Sequence, residues 1–372
     1  MKKKIICYPF VGDKIGGSHI SSLLITQNIQ KKFFTPIIAV HSSGILTNYL
    51  KNKKIKYFQL KNKTFLGEKK FLQTNFFNFF KTLNEIISFL RKNKVNIVHT
   101  NDLRIHFMWS ISSKIYGCKC VWHQRSLFPD WFLYKLISRL PNKIVSISEY
   151  VYSSLPKFNK RKSDIIYNPF IFNTKKLSKE IVKKKLLKQL NINTKKYIVT
   201  FVANLEKRKK PLTFVKASLA IKKKLKNKVI FVMIGHKRDE KIFSEVLKYS
   251  KHAKNFFYLG YQRNIDDWLY GSDILIAPAI NEPFGRTIVE SMSLKTPVLA
   301  SNSGGHREII KNGKNGYLFD VNNNKSISQL AFKILGNKKK NKLIANKAYN
   351  FALKNYSISN HIKKIYQIYK NL

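Results

Sequence analysis

Short apolar runs alternate with segments of helical period along the whole chain, in two successive series. Apolar runs of this length read as strands covered on both faces, and the helices between them are the crossovers that parallel strands require. The first series has strands at "KKIICYPF", "TPIIAV", "VNIVHT", "CKCVWHQ", "NKIVSIS" and "SDIIYN", with helices from about Ser18 to Lys31 and near Phe107 to Ile115. The second has strands at "KYIVTFVAN", "KVIFVMIG", "NFFYLG", "SDILIAPA" and "TPVLAS". Its helices fall at "PLTFVKASLAIKKKL", Glu240 to Ser250, Asp266 to Tyr270, just after "NEPFG", and at His306 to Lys311. Between the series lies the charged, strand-poor "NPFIFNTKKLSKEIVKKKLLKQLNIN". The pattern predicts an α/β chain of two doubly wound, Rossmann-like domains facing each other across a cleft, the usual seat of a ligand in such architectures. The expected domains are 1–172, 173–355 and a C-terminal helix, 356–372, that packs back on the first; 372 residues suit two cores of ordinary size.

Hydrophobic residues make up 44% of the chain, so a disordered protein is excluded. Against 71 Lys+Arg stand 19 Asp+Glu, a formal charge of +52. That charge favours acidic partners, but abundant Lys, Asn, Ile, Phe and Tyr together are also what an A+T-rich coding genome gives. Nucleic acid is not expected, because the Lys runs are dispersed and not interleaved with aromatics on a recognisable module. Three cysteines, Cys7, Cys118 and Cys120, are too few and too irregular for a disulfide framework or a zinc site, and fit a reducing cytoplasm. The N-terminal apolar run is too short for a signal peptide, and no run approaches the ~18 apolar residues that span a bilayer. One segment stands apart. "EKKFLQTNFFNFFKTLNEIISFLRKNK" sets Leu72, Phe76, Phe79, Leu83, Ile86 and Leu90 on one helical stripe, widened by Phe77, Phe80 and Phe89. Lys61, Lys63, Lys69, Lys70, Lys81, Arg91, Lys92 and Lys94 surround it. It reads either as a core-packing helix or as a helix lying in an anionic membrane interface.

The chemistry concentrates in "NEPFGRTIVESMS". Glu282 falls at the C-terminal end of a parallel strand, and Glu290 just over one turn into the following helix. Both can face one crevice, into which the free amides of Phe284, Gly285 and Arg286 would point. Gly285 would let another molecule approach the backbone. Two carboxylates and exposed amides suit a polyhydroxylated ligand that carries phosphate. Structural roles compete: Glu290 could simply pair with Arg286 four residues before it, and Glu282 could be an exposed loop acid.

The stretch "NEPFGRTIVESMSLKTPVLASNSGGHREIIKNGKNGYLF" resembles the donor-binding signature of the family 4 glycosyltransferases, which have the GT-B fold. Glu282 and Glu290 match its E-x7-E motif, Gly304, Gly305 and Glu308 its Gly-Gly-x-x-Glu segment, and Asn315, Gly316 and Phe319 its closing Asn-Gly-x-x-Phe. Fainter similarity runs through "DKIGGSHI", "CVWHQRS", "SISEYV" and "IIYNPF".

The resemblance implies a retaining, metal-independent hexosyltransferase that uses a nucleotide sugar as co-substrate and no cofactor. The second domain would bind the donor and the first the acceptor. Glu290 would hold ribose hydroxyls and Glu282 the transferred sugar, assisted by the amides at Phe284, Gly285 and Arg286. Lys209 best fits the family's lysine, with Lys210 as a one-residue shift. Asn204 stands where an arginine is common, and Arg208 could replace it. His123 would contact the transferred sugar, Gly16 and Gly17 would approach phosphate and acceptor, and Tyr261 would lie near the nucleobase. The catalytic candidates are thus His123, Glu282 and Lys209. The expected acceptor is a glycan or lipid-linked hydroxyl in cell-surface polysaccharide or lipopolysaccharide synthesis, reached from the cytoplasm at the anionic inner face of the plasma membrane. A nucleotide-sugar epimerase and a degenerate, membrane-associated binding protein are the alternatives on the same architecture.

Overall fold

The computed structural model describes residues 3–62, 76–172, 176–251, 255–262, 264–321 and 323–372. The chain divides into two compact units: Met1–Pro169 with Ile358–Leu372, and Phe170–Ser357. The division falls after Pro169, against residue 172 in the sequence reading.

The first unit holds strands β1 (Lys4–Phe10), β2 (Phe34–Val40), β3 (Phe58–Gln59), β4 (Ile97–Thr100), β5 (Lys119–Gln124), β6 (Lys143–Ser146) and β7 (Ser163–Ile165). They form a sheet of order β3-β2-β1-β4-β5-β6-β7, parallel at every pairing. Its helices are α1 (Gly17–Asn28), α2 (Ile45–Asn52), α3 (Phe76–Lys92), α4 (Leu103–Tyr116), α5 (Phe132–Ile137), α6 (Glu149–Ser153), α7 (Lys157–Lys160) and the C-terminal helix Ile358–Asn371. Successive residues of β1 feed opposite cores. Cys7 packs with Val98, Trp109 and Trp122 on one side. Ile6 and Tyr8 pack with Leu23, Val121 and the C-terminal helix residues Ile365 and Tyr369 on the other. Two covered faces are why these strands are continuous apolar runs.

The second unit begins with α8 (Lys179–Gln189), β8 (Tyr197–Val202), α9 (Pro211–Leu225), β9 (Val229–Ile234), α10 (Glu240–Ser250), β10 (Phe256–Tyr258) and α11 (Ile265–Gly271). It continues with β11 (Ile274–Ala277), α12 (Arg286–Ser293), β12 (Val298–Ser301), α13 (His306–Ile309), β13 (Tyr317–Phe319), α14 (Asn324–Gly336) and α15 (Lys338–Tyr356). Its parallel sheet has the order β10-β9-β8-β11-β12-β13.

In each unit the strand order reverses once, between β1 and β4 and between β8 and β11. At such a point the loops leaving the two strands run in opposite directions and open a crevice at the carboxyl ends, where ligands of open α/β sheets bind.

Helix α3 divides its apolar residues. Leu83, Ile86, Phe89 and Leu90 are buried in the core, whereas Phe77 is 71% and Phe80 47% exposed. Leu72, Lys63, Lys69 and Lys70 lie outside the described residues. No helix among the described residues is long and apolar enough to cross a membrane.

Candidate active site

The loops after β8 and β11 leave the second unit's switch point and meet. After β8 the chain makes a 3-10 turn, Lys207–Lys209, then bends through Lys210 in the left-handed region (φ 51) into α9, with Pro211 at its first position. The backbone N–H of Ile280, beyond β11, donates to the Arg208 carbonyl at 2.9 Å. Two residues on, the Glu282 carboxylate accepts from Lys209 Nζ at 2.7 Å and, on the same oxygen, from an Arg208 guanidinium N–H. Arg208 also donates to Glu206 at 3.2 Å. The Glu282 side chain is only 14% exposed. Burial would push its carboxyl up, but Lys209 and Arg208 outweigh burial and hold it below the ordinary carboxylate range. Glu282 is therefore not an exposed loop acid. Of the two candidate lysines, Lys209 reaches the carboxylate, and Lys210 makes the bend.

The Gly304–Gly305 step holds this loop from the other side. The Gly305 N–H donates to the Glu282 carbonyl at 2.8 Å. A Cβ on Gly304 would lie 2.6 Å from the Glu282 carbonyl oxygen, and one on Gly305 2.7 Å from that of Phe284. Only a step without side chains lets the two backbones touch. Asn281, itself in the left-handed region (φ 49), donates its N–H to Ser303 Oγ at 3.0 Å.

At Gly285 the space beside the backbone is filled by the protein's own side chains. Its φ is +119, and a Cβ there would lie 2.9 Å from His306 Cδ2 and 3.2 Å from Ile309 Cδ1. It turns the chain into α12 and lets α13 pack closely, so the close approach is made by the protein's own side chains. Phe284 is buried, its ring stacked on Phe170 and edge-on to Tyr356. At the start of α12, which begins at Arg286, the Ile288 N–H already donates to the Gly285 carbonyl at 3.1 Å. Glu290 accepts from Arg286 at 3.2 Å, the i,i+4 pair, and the Arg286 guanidinium lies over the Phe170 ring at 4.5 Å.

The Asn204 amide has no hydrogen-bond partner among the described residues. Tyr261, 55% exposed, stacks on His236 with centroids 4.3 Å apart and planes 9° from parallel, beyond the ends of β10 and β9. The closing motif is structural. Asn315 accepts from the Lys311 N–H at 2.7 Å and donates to the Ile309 carbonyl at 3.0 Å, while Phe319 is buried in β13.

In the first unit Gly16 caps α1 in an extended conformation any residue can adopt, with His19 Nδ1 at 3.9 Å the nearest atom to a notional Cβ. Space, not backbone conformation, is what a glycine supplies there. Gly17 is the first residue of α1. His123 is fully buried near the carboxyl end of β5. Its Nδ1 lies 3.1 Å from His99 Nε2 and 3.3 Å from Arg125 Nη2, and its Nε2 has no partner among the described residues. Burial first, then Arg125, holds the ring well below the ordinary histidine range, so it is neutral. The geometry thus gathers Glu282, Arg208 and Lys209 into one cluster and sets Glu290 in a separate pair with Arg286.

Sequence reasoning missed His306, His99 and Arg125. His306 bonds Ser301 Oγ at 3.0 Å, and burial lowers it to about 4. His99 had a signal: in "IVHT" and "VWHQ" a histidine is the penultimate residue of each of two adjacent strands.

Residues 182–351 match the family described as glycosyl transferases group 1. The Escherichia coli enzyme UDP-Gal:alpha-D-GlcNAc-diphosphoundecaprenol alpha-1,3-galactosyltransferase is 24% identical over 316 residues, covering 78% of this chain and 79% of its own. The crystal structure of Anabaena HepE in complex with UDP and glucose is similar with a TM-score of 0.83, at 16% identity and over 99% of both chains. A lipopolysaccharide outer core galactosyltransferase is similar with a TM-score of 0.73, at 17% identity, over 99% of this chain and 100% of its own. The two likenesses identify the fold as two parallel-sheet, Rossmann-like units of GT-B type. The family match and the Escherichia coli relative support glycosyltransferase activity.

Proposed function

We propose that this chain is a retaining glycosyltransferase of family 4 that moves a hexose from a nucleotide sugar to a hydroxyl of a glycan or lipid-linked acceptor. The observation that carries the reading is the Arg208–Lys209–Glu282 cluster at the switch point of the second unit, inside the segment that matches the family. Two cations fixed on one carboxylate are oriented before any ligand arrives, and fixed charge of this kind stabilises a leaving diphosphate. In the proposed reaction the bond between the anomeric carbon and the phosphate oxygen breaks, and the acceptor oxygen bonds that carbon on the same face. The acceptor proton passes to the departing phosphate. Arg208 and Lys209 supply the positive charge, so the reaction calls on no metal. Glu290 takes the ribose hydroxyls, Tyr261 with His236 offers the base a flat aromatic face, and His123 meets the transferred sugar.

A uridine donor and a role in cell-surface polysaccharide or lipopolysaccharide synthesis are part of the proposal, supported by similar proteins whose names state UDP-Gal with a diphosphoundecaprenol, UDP with glucose, and the lipopolysaccharide outer core. Attachment at the cytoplasmic face of the membrane is supported by the surface of the first unit. Helices α3 and α5 both pack on α4. They carry exposed Phe77, Phe80, Phe132 and Leu136, with Trp131 beside α5, on a chain of charge +52.

The test is turnover of a panel of uridine-linked hexoses, with and without lipid-diphosphate acceptors, and the anomeric configuration of the product read by NMR. One donor should release its nucleotide diphosphate and give a retained product, and Glu282→Gln should lower that rate about 100-fold or more. No turnover of any donor, or an inverted product, would sink the proposal.

A further inference from the structure

His123 ends a chain of buried polar side chains drawn from four elements. Tyr8 of β1 and Tyr369 of the C-terminal helix share a hydrogen bond of 2.7 Å between their hydroxyls. The Tyr369 hydroxyl bonds His99 Nδ1, and His99 Nε2 lies 3.1 Å from His123 Nδ1. The two imidazoles are near-parallel, 22° apart. All four residues are fully buried. Burial first holds both histidines well below the ordinary range and both tyrosines above theirs, so each group is neutral.

A chain of neutral groups can run in either of two directions, and Arg125 decides which. Its Nη2 donates to Asn101 Oδ1 at 2.9 Å and shares its other N–H between Ser22 Oγ and His123 Nδ1, each at 3.3 Å; a guanidinium has no lone pair, so toward His123 it can only donate. Nδ1 of His123 must then be an acceptor. His99 Nε2, facing the same atom, must carry a proton, and His99 Nδ1 must accept from Tyr369. The hydrogen bonds therefore run from Tyr8 to Tyr369, from Tyr369 to His99, and from His99 to His123. The proton of His123 is left on Nε2, which has no partner among the described residues.

We propose that His99, with Tyr369 and Arg125 behind it, is a positioning residue that fixes His123 in the Nε2–H tautomer, so that the buried Nε2, which has no partner among the described residues, carries a donor proton and has no lone pair to act as a base. That His123 meets the sugar rests on the proposed transferase reading; the tautomer does not. His99→Gln keeps the direction, since an amide oxygen can face Tyr369 and an amide N–H can face His123. His99→Glu opposes it, because a carboxylate facing His123 Nδ1 draws the proton to that nitrogen.

Nitrogen-15 NMR of histidine-labelled protein reads the tautomers directly. In the wild type, His99 and His123 should both be neutral, with Nδ1 bare and Nε2 protonated. A proton on His123 Nδ1, or a cationic His123, would overturn the proposal even if the protein transfers sugar. The expected tautomer in a protein that turns over no nucleotide sugar would leave the relay standing and sink the transferase reading instead. In kinetics, His99→Gln should keep kcat within about threefold and His99→Glu should lower it about tenfold or more, the usual cost of one lost hydrogen bond. Equal effects of the two substitutions would overturn the directional relay. Should His99→Glu fail to fold, the wild-type spectrum still decides.

Discussion

Replacing Gly305 by alanine tests whether the Gly304–Gly305 step holds the Glu282 loop in place. Gly305 has φ −64 and ψ −12, which alanine adopts freely, so the substitution introduces a methyl group and no backbone strain. That methyl carbon would lie 2.7 Å from the Phe284 carbonyl oxygen, 2.8 Å from Phe284 Cα and 2.9 Å from the Pro283 carbonyl oxygen. All three are backbone atoms, so no side chain can rotate away. Reaching ordinary contact needs a shift of about half an ångström or more, which also lengthens the 2.8 Å bond from the Gly305 N–H to the Glu282 carbonyl. Overpacking of this kind costs about 1–3 kcal/mol. In a unit of this size each kcal/mol lowers Tm by about 2–4 °C, so the transition of the second unit should fall by roughly 2–12 °C. Because the shifted loop carries Glu282, kcat/KM for the donor should drop about tenfold or more, short of the 100-fold that a full ångström can cost. Gly336→Ala is the control: nothing lies within 4 Å of a Cβ there. The assays are nucleotide release kinetics and a thermal melt. If Gly305→Ala matches the wild type in both, the close backbone contact does not govern the loop.

Acid should unfold the first unit before the second. His41, His99, His106, His123 and His361 are held low by burial, His41 at about 4 and His361 at about 3. An unfolded chain binds these protons near pH 6.5, so the stability they contribute is complete above that pH and is lost as pH falls below it. Five such rings give a slope of about 7 kcal/mol per pH unit, enough to exhaust an ordinary domain within about two units. Near-ultraviolet circular dichroism against pH should show uptake of about five protons; one proton or fewer would contradict the buried neutral rings. Flotation with liposomes should show binding to anionic vesicles and little to neutral ones. Phe132→Ser with Phe77→Ser should weaken it severalfold. Binding that ignores lipid charge, or is untouched by the substitutions, would remove the membrane face.

The fold class was legible because parallel strands covered on both faces leave an unbroken apolar run, as in the fully buried "VIFVMI" of β9. Elements without such a run were not. β3 is two exposed residues. In α8 only Val182, Leu186 and Leu187 are buried, and the lysines between them mask the helical stripe. At the site, the motif located Glu282 but could not name its partners, since Lys209 lies 73 residues earlier in the chain. Sequence cannot say toward what the bare face of Gly285 points; it faces His306. Tyr369 stands 270 residues from His99, and no local pattern joins them.

Calorimetric titration with uridine diphosphate and with uridine, on the wild type and on Lys209→Gln, tests the phosphate grip most directly. Glu282 keeps Arg208 in that variant, so no buried carboxylate is left alone. Diphosphate binding should weaken about 10- to 100-fold, the value of one charge-assisted hydrogen bond, while uridine binding stays unchanged. Unchanged diphosphate binding, or an equal loss for both ligands, would contradict the assignment of Arg208, Lys209 and Glu282 to a nucleotide-sugar site.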